Sequence, residues 1–138
     1  MPRFGAKSKR ELATCHPLLQ KLFNEVIKYY NCSILKGRRG KTEQNQLFAE
    51  GRSQLKYPNS KHNAKPGEPS FALDAVPWFI NPPHVRWNDR NKFYEFCGFV
   101  QGIAKVMGIK IRSGSNWDMD DELDDQNFFD LPHFEIVR

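Results

Sequence analysis

Asp74 stands inside an otherwise apolar segment, Phe71-Ala72-Leu73-Asp74-Ala75-Val76, and this one carboxylate constrains the fold more than any other residue. The segment alternates from Ser70 and then turns apolar toward Val76, which predicts a strand over residues 70–76. An unpaired carboxylate is costly to bury. The chain must therefore bring Asp74 a partner: a metal ion, an arginine, or a set of N–H donors.

The C-terminal stretch Asp130-Leu131-Pro132-His133-Phe134-Glu135 offers chemistry-capable groups. Phe134, Ile136 and Val137 interleave with His133, Glu135 and Arg138, which predicts a strand over residues 133–137. His133 and Glu135 then share one face, and Phe134 and Ile136 the other. Taken alone, this is an edge strand with a charged face. Taken with His62 upstream, it becomes part of a set. Two histidines and one carboxylate, here His62, Asp74 and His133, form the donor set of a catalytic zinc site that keeps a fourth position for water. Asp130, three residues before His133, is close enough to share the cavity and take a proton without being a ligand. There is no H-E-x-x-H helix signature. His62 by itself, in a loop rich in Lys, Asn and Pro, reads as an exposed residue.

Two helices are plain in the periodicity. Leu18, Leu19, Leu22, Phe23, Val26, Ile27 and Tyr30 recur at helical spacing over residues 16–30, with Pro17 in the first turn and Thr14 or Cys15 just outside it. Phe93, Phe96, Cys97, Val100, Ile103, Ala104 and Met107 do the same over residues 91–107, and Gly108 ends that helix. Gly98 and Gly102 weaken it or permit close packing. A shorter helix is expected over residues 42–51, capped by Thr42 and stopped by Gly51. Short strands are expected from Ser33 and from Ile109. Residues 1–14 are polar and basic and carry no assigned element. Residues 52–69 form a long loop, and residues 77–89 an irregular segment. The pattern is α+β: two main helices and a small antiparallel or mixed sheet, in a single domain over residues 1–138.

Composition excludes several classes. Hydrophobic residues at 39% and aromatics at 13% belong to a globular chain, not a disordered one. Cys15, Cys32 and Cys97 are odd in number and widely spaced, so they read as buried reduced thiols. No apolar run is long enough for a transmembrane helix, and the start of the chain lacks the core of a signal peptide. The net charge of +5 suits an anionic partner: nucleic acid, a wall polymer or a membrane surface. Residues 118–125 hold six acidic side chains, which read as a solvated loop rather than a calcium site. His16 and His84 read as surface or capping residues.

The order of motifs resembles a known family. Phe4-Gly5 with Ser8, Leu12, Ala13, Thr14, Pro17, Leu19 and Gln20 opens the likeness. Gly37-x-Arg39 before a Gln-containing helix, Ser60-Lys61-His62, Ala72-x-Asp74, Gly114-x-x-Trp117 and Asp130-x-x-His133-x-Glu135 continue it. Together they resemble the zinc D-alanyl-D-alanine carboxypeptidases and L-alanyl-D-glutamate peptidases, including single-domain bacteriophage endolysins. The resemblance implies a Hedgehog/DD-peptidase-like fold and Zn2+ held by His62, Asp74 and His133. It implies Asp130 as catalytic acid/base and Arg39 as the group that polarises the scissile carbonyl. Ser60 and Trp117 match positions lining the site, and Glu135 would orient His133.

The implied function is hydrolysis of the stem peptide of peptidoglycan, at the L-alanyl-D-glutamate bond, by a monomer with no nucleic-acid partner. Such a protein stays in the host bacterial cytoplasm until it is released to the cell wall. Two alternatives stand beside it: a D-alanyl-D-alanine carboxypeptidase, and a non-catalytic basic module binding wall polymer or nucleic acid through Trp78 and Trp87. A metal-binding signalling domain of the same fold is a third. One departure is visible. Eleven residues separate His62 from Asp74, including Lys65-Pro66-Gly67-Glu68-Pro69, where the family carries the shorter H-x-x-G-x-A-x-D. A loop extension that leaves both ends in place costs little.

Overall fold

The computed structural model describes residues 2–114 and 131–137. Asp130, Trp117 and the acidic run at 118–125 lie outside the described residues.

The two periodic segments form helices. Helix α1 (Ala6–Leu12) precedes helix α2 (Pro17–Val26), which buries Leu19, Leu22, Phe23 and Val26. Its N-cap is His16, not Thr14 or Cys15, and the ring Nδ1 accepts the Leu18 N–H at 3.1 Å. Strand β1 (Cys32–Lys36) leads to helix α3 (Lys41–Ala49). Gly40 caps α3 through its extended backbone, so Thr42 falls inside the helix instead of ahead of it. Strand β2 (Ala72–Pro77) starts two residues later than expected, because the Ser70 hydroxyl accepts the Ala72 N–H (3.2 Å) and donates to the Ala72 carbonyl (2.6 Å), which makes a local turn.

Helix α4 (Arg90–Met107) is capped by the Asp89 carboxylate on the Lys92 N–H. It ends at Gly108 with φ 71°, a left-handed position that favours glycine. A Cβ at Gly98 or Gly102 would meet nothing among the described residues, so neither glycine serves close packing with them. Strands β3 (Ile111–Ser113) and β4 (His133–Ile136) complete the set.

Helix α1 was not legible in the sequence. It has seven residues, of which only Ser8 and Leu12 are buried, too few for a periodic signal. It docks through a hydrogen bond: the Ile34 N–H donates to the Ser8 hydroxyl at 3.0 Å.

The four strands form one sheet in the order β1-β2-β4-β3, and every pairing is antiparallel. Alternation gives the sheet two unlike faces. On one, Ile34, Leu73, Ala75, Phe134 and Ile136 pack under α2 and α4. Phe134 meets Phe23 of α2 edge-on at 5.5 Å and Phe96 of α4 at 5.8 Å. The other face carries Lys36, Asp74, His133, Glu135 and Arg112, aligned by register: Asp74 opposite His133, and Glu135 opposite Arg112. A bulge between Ile34 and Lys36 interrupts β1 beside Asp74. All three cysteines are buried and none forms a disulfide.

Candidate metal centre

Register alone brings the first two groups together. Asp74 on β2 and His133 on β4 are direct cross-strand partners, and His133 Nδ1 lies 3.7 Å from Asp74 Oδ1. The other ring nitrogen, Nε2, lies 2.8 Å from Glu135 Oε1. A carboxylate only accepts, so Nε2 carries a proton and Nδ1 is the nitrogen turned toward Asp74. Glu135 is itself held by Arg112, whose Nη2 sits 2.9 Å from the second carboxylate oxygen. Burial pulls the Glu135 carboxyl upward, but His133 and Arg112 outweigh it and hold it below the ordinary glutamate range.

His62 arrives from a tight turn. Its N–H donates to the Ser60 hydroxyl at 3.2 Å, and the Asn63 side chain accepts the Ser60 N–H at 3.1 Å. The ring is buried. Its Nδ1 lies 2.8 Å from the Gly37 carbonyl oxygen, an acceptor, so Nδ1 carries a proton; Nε2 lies 3.2 Å from Asp74 Oδ1, to which it donates when protonated and beside which its lone pair is open to a cation when not.

Gly37 is where the chain needs a glycine. A Cβ there would fall 2.2 Å from Thr14 Oγ1 and 2.3 Å from the Glu11 carbonyl oxygen. The end of α1 grips this turn: Glu11 accepts the Gly37 N–H at 3.0 Å, and Thr14 Oγ1 accepts the Arg38 N–H at 2.8 Å. The unforeseen helix thus sets the carbonyl that orients His62.

The long spacing between His62 and Asp74 is absorbed by a closed loop. The Phe71 N–H donates to the Lys61 carbonyl at 3.1 Å, tying the two ends together. Arg38 donates to the Glu68 carbonyl at 2.9 Å and fastens the extension. Its neighbour Arg39 turns into the site. The Arg39 N–H donates to the His62 carbonyl at 2.8 Å, and its guanidinium Nη2 reaches Asp74 Oδ2 at 3.6 Å.

His62 Nε2, an Asp74 oxygen and His133 Nδ1 thus converge, with one ligand atom from each residue within 4.8 Å of the others. Three acceptor atoms do not gather without a positive charge among them, supplied either by protons on the rings or by a cation. Two imidazoles and a carboxylate are a donor set suited to a divalent transition metal. Burial pulls the Asp74 carboxyl upward, yet the His62 and His133 rings outweigh it and hold it well below the usual carboxylate range.

The cluster lies in a cleft of about 450 Å³, whose walls include Arg52, Ser53, Leu55, Asn59, Ser60 and Lys61. The structure therefore brings together His62, Asp74, His133, Arg39, Ser60 and Glu135. Asp130 and Trp117 are outside the described residues. His16 caps α2, and His84 bonds the Phe79 carbonyl and stacks on Trp78 at 4.5 Å, so neither joins the cluster. Arg112 falls in the strand expected from Ile109, and nothing in the sequence marks it as part of the site. Its role as the partner of Glu135 depends on the β3–β4 register.

Comparison with known proteins places the chain in a family. The family model for phage L-alanyl-D-glutamate peptidase matches residues 1–137. The L-alanyl-D-glutamate peptidase of Escherichia phage T5 is 33% identical over 141 residues, which cover 98% of each chain. The crystal structure of the Serratia marcescens L-Ala D-Glu endopeptidase ChiX is similar with a TM-score of 0.71, at 22% identity, covering 99% of this chain and 91% of that one. The small sheet with helices on one face is thus the Hedgehog/DD-peptidase-like fold. By sequence match along nearly its whole length, the chain belongs to the phage L-alanyl-D-glutamate peptidase family.

Proposed function

We propose that this protein is a single-domain zinc peptidase, an endolysin that hydrolyses the L-alanyl-D-glutamate bond of the peptidoglycan stem. The observation that carries the reading is the convergence of His62 Nε2, Asp74 and His133 Nδ1 on the floor of an open cleft, beside the Arg39 guanidinium. Peptidase family membership supplies the substrate class.

In this reading His62 Nε2, Asp74 and His133 Nδ1 would hold zinc, which would supply a Lewis acid able to acidify a water molecule and polarise the amide carbonyl. Gly37 and Glu135 keep the two rings in the tautomers that leave a lone pair toward the ion. The Arg39 guanidinium offers a fixed positive charge to the oxygen that becomes negative as the amide is attacked. Asp130, three residues before His133, takes the proton from the attacking water and returns it to the departing nitrogen. Ser60, in the cleft wall, is assigned to substrate binding, and so is Trp117 by its motif.

The protein acts as a monomer on peptidoglycan, not on nucleic acid. It stays in the host cytoplasm until it is released to the wall. No helix among the described residues is long and apolar enough to cross a membrane.

Metal analysis of the purified protein, combined with mass spectrometry of digested sacculi, tests this. One equivalent of zinc and new termini at L-alanine and D-glutamate are expected. Release of terminal D-alanine instead would make it a carboxypeptidase. Intact sacculi would remove the enzymatic reading.

A further inference from the structure

Helix α3 buries a single residue, and that residue is polar: Gln44, with no exposed surface. Glutamine is mostly an exposed side chain. Here the burial is matched by complete hydrogen bonding. Gln44 Oε1 accepts from Arg39 Nη1 at 2.9 Å and from Asn63 Nδ2 at 3.2 Å. Gln44 Nε2 donates to Ser53 Oγ at 2.9 Å and to the Leu55 carbonyl at 2.6 Å. The partners fix the amide orientation, because a guanidinium cannot accept and a carbonyl cannot donate. An amide oxygen accepts two hydrogen bonds and an amide nitrogen donates two, so no capacity is left for a substrate.

The four partners belong to different parts of the site. Arg39 reaches Asp74, and Asn63 follows His62. Ser53 and Leu55 are in the cleft wall. Arg39 Nε has no hydrogen-bond acceptor among the described residues, and the Glu43 carboxylate stands 3.7 Å from it. The Arg39–Gln44 bond is therefore the shortest polar contact of that guanidinium among the described residues, at 2.9 Å against 3.6 Å to Asp74.

We propose that Gln44 is a positioning residue that locks the Arg39 guanidinium over the cluster and fixes the Ser53–Leu55 wall at a set distance from it. Its oxygen serves the arginine and its nitrogen serves the wall. One planar amide thus couples the group that meets the reacting carbonyl to the surface that holds the rest of the substrate. The inference rests on the peptidase reading for its kinetic consequences, but not for its structural ones.

Two variants separate the two halves of the amide. Gln44→Leu removes both. Gln44→Glu keeps an acceptor for Arg39 and removes the donors to the wall. In Gln44→Leu, the 15N order parameter of Arg39 Nε–Hε is expected to fall to that of an exposed arginine. kcat is expected to fall about 100-fold, the scale of an ångström of misplacement. In Gln44→Glu, Arg39 stays ordered, amide exchange at Ser53 and Leu55 quickens, and KM rises while kcat holds within about twofold. In an Arg39→Ala background, Gln44→Leu should lower kcat by no more than about twofold, because the pair acts as a unit.

An ordered Arg39 in Gln44→Leu would overturn the proposal, and so would full additivity with Arg39→Ala. Should Gln44→Leu not fold, Gln44→Glu decides: unchanged exchange at Ser53 and Leu55 overturns it. Loss of wild-type peptidase activity would refute the proposed function alone, since order parameters and amide exchange are read without turnover.

Discussion

His62 Nδ1 lies 2.8 Å from the carbonyl oxygen of Gly37, and this bond decides which nitrogen of the ring faces Asp74. The carbonyl belongs to a turn packed so closely on the end of α1 that a methyl group would overlap Thr14 and Glu11. Gly37→Ala must therefore push the turn outward and drag the carbonyl from His62. A stability loss of about 1–3 kcal/mol is expected from the overpacking. Metal affinity should fall about 10- to 100-fold, as when an outer partner of a ligand is disturbed. Thermal unfolding and metal titration measure the two effects. Wild-type metal affinity in the variant would show that the carbonyl does not orient the ring.

Glu135 performs the same service for His133, and Arg112 holds Glu135. Glu135→Ala should weaken metal binding about tenfold or more without abolishing it. Competition with a chelator gives the number. An unchanged affinity would reduce the Glu135 contact to packing.

Ligands and proton carriers fail differently. His133→Ala should lose both zinc and wall-lysing activity. Asp130→Ala should keep its zinc while turnover falls about 100- to 10,000-fold, the usual contribution of a general acid/base. If Asp130→Ala emerges without zinc, Asp130 is a ligand and the proton carrier lies elsewhere.

Acid should destabilise the metal-free protein through Asp74. Its folded carboxyl is held below the ordinary value, because the two imidazoles outweigh burial. The folded state therefore binds fewer protons than the unfolded one near the unfolded value of about 4. The stabilisation is complete above that pH and is lost as pH falls further toward the folded value. Urea midpoints of the metal-free protein should drop below about pH 4, and Asp74→Asn should flatten that drop. An equally steep acid limb in Asp74→Asn would place the effect in other carboxylates.

The buried thiols should be inert. Burial pushes both Cys15 and Cys32 up to about 12, so neither forms thiolate near neutral pH. A thiol reagent at about pH 8 should label neither residue until the protein is unfolded. Rapid labelling of the folded protein would mean that α1 or β1 opens readily.

The sequence by itself determined the groups and the main elements. Period-3.6 apolar spacing located α2 and α4, and the alternation around Phe134 separated a core face from a polar one, because burial of a regular element repeats with its own geometry. A carboxylate within an apolar strand required a partner, and two histidines were available to supply it. The tertiary structure alone decided how they meet. The β2–β4 register sets His133 opposite Asp74, where a shift of one residue would have turned it into the core.

Three features had no such repeat to announce them. Helix α1 is too short, Gln44 is the one buried residue of a helix without an apolar stripe, and the Gly37 carbonyl is a backbone atom. Helix α1 and the Gly37 carbonyl act through hydrogen bonds to residues distant in the chain, and Gln44 joins its near neighbour Arg39 to Ser53, Leu55 and Asn63 on other segments. Such bonds depend on where separate segments come to rest, so the tertiary fold, and not local pattern, fixed the tautomers of the histidines and the grip on Arg39.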